Sequence, residues 1–107
     1  MHVLSTKLTF SIQGAVSLKD KRQVRRSLIE KVRNRFNVSI SEVDMQDVHQ
    51  TLVIGVAVVS GEKTHAKSSL DEIIRFMENN PNAELVAITE YEQGNDNDRT
   101  NRKIQYS

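Results

Sequence analysis

Cations crowd one twenty-residue stretch of this chain. Between Ser17 and Phe36 lie Lys19, Lys21, Arg22, Arg25, Arg26, Lys31, Arg33 and Arg35, against only Asp20 and Glu30, a net of +6. The rest of the 107 residues holds seven cations and twelve anions, so the total of +1 hides a polarised molecule. Fixed cations at short intervals can neutralise phosphates and release counterions, which attaches a protein to a nucleic-acid backbone. The competing use of such a run is a solvated helix face whose cations pair with nearby acids, Asp44 and Asp47 among them.

Other chemistry is poorly supplied. Asp44, Asp47 and His49 crowd one connection and could hold a hard cation or serve a hydrolase. A solvated hairpin whose carboxylates pair with Lys or Arg accounts for them more simply. His2, His49 and His65 share no ligand spacing with one another. With no Cys there is no thiol nucleophile, disulfide, iron–sulfur cluster or Cys-based zinc site, which agrees with a reducing cytoplasm. No Ser stands in a Gly-x-Ser-x-Gly elbow, and four Gly make no Walker or Rossmann loop. The expectation is a non-enzymatic protein with no metal, no cofactor and no small-molecule substrate.

The elements that must carry these residues follow from periodicity. Leu4, Thr6, Leu8, Phe10 and Ile12 alternate with Ser5, Lys7, Thr9 and Ser11, the period of a half-buried strand. Ser17, with Asp20 three residues on, opens a helix from Leu18 to Phe36. On its wheel Leu18, Val24, Leu28, Ile29, Val32 and Phe36 span an arc of roughly 140° that can pack on a sheet. Val38–Val43 reads as a half-polar edge strand, and Leu52–Val59 as a central strand covered on much of both faces. A second helix runs from about Lys63 to Asn79, where Asn80-Pro81 stops it, and a last strand spans Ala83–Glu92. No apolar run is long enough to span a membrane and no secretory signal is visible. Residues 93–107 are polar and expected to stay disordered beyond a single domain of residues 1–92.

The order βαββαβ predicts an α+β ferredoxin-like sandwich: a four-stranded antiparallel sheet, first and third strands central, both helices on one face. The loop after the first strand, Ile12-Gln13-Gly14-Ala15-Val16, is similar to the phosphate grip of acylphosphatases, enzymes of this fold. Leu18 stands where that grip needs Arg, so the phosphoryl charge would lack its partner.

Within the helix, Lys19, Arg22, Arg26 and Arg33 form a stripe about 60° wide beside the apolar face. Lys21 and Arg25 fall inside the apolar arc. Either their stems lie along the sheet with the heads in water, or the first turns overhang the sheet and expose a cationic end. Base stacking on the sheet is not expected, since the third strand lacks aromatics and Phe10 faces the core. The open face would show Ser5, Lys7, Thr9 and Ser11 beside Val53, Gly55, Ala57 and Val59, a shallow patch suited to self-association or a protein partner.

Several linked stretches are similar to the bacterial YlxP-like proteins, a domain-of-unknown-function family. They are Ser17-Leu18-Lys19-Asp20-Lys21-Arg22, Leu28-Ile29, Arg33 to Ser39, Glu42-Val43-Asp44, Gln46-Asp47 and Gly55 to Ser60. The resemblance covers about residues 1–92 and implies a small ferredoxin-like cytoplasmic protein with no established catalysis. Genes of that family often lie beside those of a translation initiation factor and a ribosome-binding factor. His49 departs from the pattern, which tends to have an aromatic there, and the tail after Glu92 exceeds the usual family length. The resulting expectation is an accessory protein touching structured, ribosomal RNA or a ribosomal subunit. Lys19, Arg22, Arg26 and Arg33 would meet phosphates, with Lys21 and Arg25 orienting that end. The alternative is a module that self-associates as a homodimer through the open sheet or an edge strand.

Overall fold

The computed structural model describes residues 1–93, with side chains to Tyr91. Strand β1 (His2–Ser11) is followed by helix α1 (Leu18–Arg35), strands β2 (Ser39–Asp44) and β3 (Thr51–Ser60), helix α2 (Lys63–Glu78) and strand β4 (Glu84–Gln93). The sheet is antiparallel in the order β2-β3-β1-β4, so β1 and β3 are central as the alternation required. The tail assigned to residues 93–107 lies outside the described residues except for Gln93, which ends β4.

Alternation decides the faces. Leu4, Thr6, Leu8 and Phe10 are buried on β1 and pair with buried Val58, Val56, Ile54 and Leu52 of β3. Leu28 and Val32 of α1 and Ala66, Leu70, Ile73, Ile74 and Met77 of α2 close the same core. Burying each large aliphatic contributes about 1.5–3 kcal/mol, against the entropy of ordering the chain. Ser17 caps α1 as its position predicts, its hydroxyl accepting from Asp20 N at 3.2 Å. The Asp20 carboxylate reaches back to Val16 N at 2.9 Å and completes the cap.

The opposite face of the sheet has no helix. It carries Ser5, Lys7 and Thr9 of β1 against Ala57, Gly55 and Val53 of β3, the register expected from the sequence. Two departures matter. Val59 of β3 is 65% exposed, so the strand is covered on both faces only in part. Both edge strands also break their register, β2 between Glu42 and Asp44 and β4 opposite Thr9/Phe10.

Candidate nucleic-acid interface

The structure divides the cations of α1 into those that build the fold and those that face solvent. Lys21 is 1% exposed. Its Nζ donates to Met45 O at 2.6 Å and Val48 O at 2.9 Å, under the β2–β3 connection. Glu42 Oε2 lies 2.8 Å from the same nitrogen, an ion pair at contact distance. Arg25 Nη1 donates to Glu42 Oε1 at 2.9 Å. Burial alone would raise the Glu42 carboxyl, but hydrogen bonds and charge from Lys21 and Arg25 outweigh it and hold the group below its ordinary range.

Lys21 therefore meets neither alternative read from the helical wheel. Its head does not reach water, and the first turns do not expose it. It leaves the set of residues able to touch a phosphate, and it serves instead to clamp the hairpin onto α1. Arg25 is half-buried and spent on Glu42. The acid is also not the expected one: Asp44 accepts from Met45 N at 2.8 Å, and no ion pair joins Asp44 or Asp47 to α1 among the described residues. Glu42 was legible in principle. It shares a face of β2 with buried Ile40, and a Glu on the core face requires a cation from the helix above it.

At the other end of α1, Arg35 stacks over Phe76 at 4.9 Å from the ring centroid, beside the edge-on pair Phe36–Phe76. Arg33 is exposed but donates to Ile40 O of β2 at 3.2 Å. Lys19, Arg22 and Arg26 remain exposed and without an ion pair or hydrogen bond among the described residues. These three and Arg33 keep the stripe that the wheel predicted. Between α1 and β2 runs a cleft of about 340 Å³ lined by Arg25, Arg26, Arg33, Glu30 and Ser41.

No group of three His, Cys, Asp or Glu that could hold a metal ion converges among the described residues, those of the Asp44–His49 connection included. Nor is any described helix long and apolar enough to cross a membrane.

Two helices on one face of a β2-β3-β1-β4 antiparallel sheet define a ferredoxin-like α+β sandwich. Within that class the chain belongs to the family described as protein of unknown function DUF503, whose pattern matches residues 3–90. It is 38% identical over 81 residues to "Uncharacterized protein YlxP" of Bacillus subtilis (strain 168), covering 75% of this chain and 88% of that protein. A solution structure of a de novo designed protein with ferredoxin fold superposes with a TM-score of 0.53 at 16% identity, covering 100% of this chain and 98% of that one. That likeness concerns the fold alone.

Proposed function

We propose that this chain is a non-enzymatic accessory protein that binds structured RNA through the exposed stripe of α1, in a translation or ribosome-assembly setting in the cytoplasm. One observation carries the reading. Once Lys21 and Arg25 are assigned to Glu42, the exposed face still holds Lys19, Arg22 and Arg26 without an acidic partner among the described residues. Unpaired cations along a rigid rod, at successive turns of about 5.4 Å, suit contact with successive phosphates.

The test is binding of an RNA hairpin, and of ribosomal subunits, across a salt series. Affinity should fall steeply as salt rises, and replacing Arg22 and Arg26 by Glu should abolish binding while leaving the thermal melt unchanged. A flat salt response, or unaltered binding by the doubly substituted protein, would overturn the proposal. Self-association is the second reading, favoured by exposed Val59 and Tyr91 on the uncovered face of the sheet. Light scattering at high concentration decides it, since a monomer removes it.

A further inference from the structure

On the open face, β4 contributes something the first and third strands do not. Tyr91 pairs with Ser5, which alternates with buried Leu4 and Thr6 and so points away from the helices. Tyr91 is 49% exposed. Its placement depends on the irregularity in β4. Leu85 pairs with Phe10 on the helix face, and Tyr91 lies six residues further along; in a regular strand an even separation keeps both on one side. The extra residue in β4 reverses the parity and turns Tyr91 onto the open face, as β-bulges do when they re-aim a side chain.

Tyr91 closes one end of a shallow groove of about 330 Å³ that crosses the sheet. Ala57 forms its floor beside Gly55, which Val43 overlies, and Ser5, Ser39 and Ser41 offer hydroxyls along it. Lys7 stands in the middle, part-exposed and with no partner among the described residues. An aromatic ring at one end, an unpaired cation beside it and hydroxyls along the groove are the complement of a stacked base with its sugar and phosphate. Ser41 lines both this groove and the cleft beneath Arg26 and Arg33. The two surfaces therefore meet around the β2 edge. From there to β4 the sheet is three strand spacings, about 14 Å, wide.

We infer that the open face is a binding site for single-stranded RNA, with one base stacked on Tyr91 and its phosphate on Lys7. This rests on the α1 reading only for its continuation: the partner is a stem seated on α1 whose unpaired extension turns over β2 into the groove.

The experiment uses the full chain carrying Tyr106→Phe, so that Tyr91 is the sole tyrosine in a protein without Trp. The probes are a uridine pentamer, a blunt RNA hairpin and the same hairpin with a five-uridine 3′ extension. The pentamer should quench Tyr91 emission on its own. The extended hairpin should bind more tightly than the blunt one, and Tyr91→Ala should remove that gain, about tenfold, while Tyr91→Phe keeps it. Lys7→Ala should weaken the pentamer and spare the blunt hairpin.

Pentamer quenching with no hairpin binding would support the sheet site and defeat the α1 reading. Hairpin binding with no quenching and no gain from the extension would overturn the sheet site and leave α1 standing. A doubled mass with Tyr91 emission unresponsive to RNA would overturn it too, assigning the face to a second copy.

Discussion

At the scale of single residues, the decisive fact is that one helix carries two kinds of cation. Lys21 satisfies two carbonyls and a carboxylate in a dry site, whereas Arg22, its neighbour, faces water. Removing a buried ion partner leaves the rest uncompensated, so Lys21→Met should cost about 3–5 kcal/mol in denaturant unfolding, against less than about 0.5 for Arg22→Met. Glu42 gives the same network a pH signature. Its carboxyl is lowered in the fold relative to an ordinary value of 4.5, so the stabilisation is fully present above that value and is lost as pH falls through the lower folded one. Melting temperatures should therefore decline below about pH 4.5, and Glu42→Gln should flatten that decline while lowering stability at neutral pH. Met45 completes the clamp with φ at 52°, a left-handed conformation costly for any residue with a Cβ. Its carbonyl is held by Lys21 and Val48 N, and its amide by Asp44. Met45→Gly should leave stability unchanged or raise it by up to about 1 kcal/mol, whereas β-branched Met45→Val should lower it.

At the scale of elements, the six segments and their order were legible because each differs from its neighbours in period or composition. Leu4 to Ile12 alternates, and Leu28 and Val32 lie one turn apart on the buried side of α1. The edges were less legible. A bulge changes which residues share a face without changing composition, so the exposure of Tyr91 could not be read from the pattern around Leu85-Val86-Ala87-Ile88. The site residues divide the same way. Position on the wheel separated Lys21 and Arg25 from the stripe, and the register of β2 shows that Glu42, on the same face as Ile40, lies beneath them. The irregularity in β2 has its own consequence: Val43 lies over Gly55, and a Cβ built there would meet Val43 Cγ1 at 2.8 Å. Gly55→Val should thus cost about 1–3 kcal/mol through forced displacement of Val43. Pairing it with Val43→Ala should recover much of that loss, a coupling that thermal melts of the two single variants and the double variant would measure.

At the scale of the whole molecule, charge and stacking leave different marks on one binding curve. Net charge over Ser17–Phe36 is +6 while the remainder is −5, so the field that would orient a polyanion comes from one side of the sandwich. Each phosphate contact contributes about 0.9 to the slope of log affinity against log salt on a duplex, because it releases condensed counterions. Replacing Arg22 and Arg26 by Gln should reduce that slope by about 2 on the extended hairpin. A ring stacked on a base releases no counterion, so Tyr91→Ala should shift the whole line to weaker affinity and leave its slope unaltered. Lys7→Gln should do both, lowering affinity and removing about one unit of slope. Were Tyr91→Ala to change the slope as Arg22→Gln does, loss of the aromatic would be perturbing the cationic surface through the fold, and the two faces would not be separate contacts. Parallel lines for the tyrosine variant and converging lines for the arginine variant would establish that one RNA is held on both sides of a single sheet.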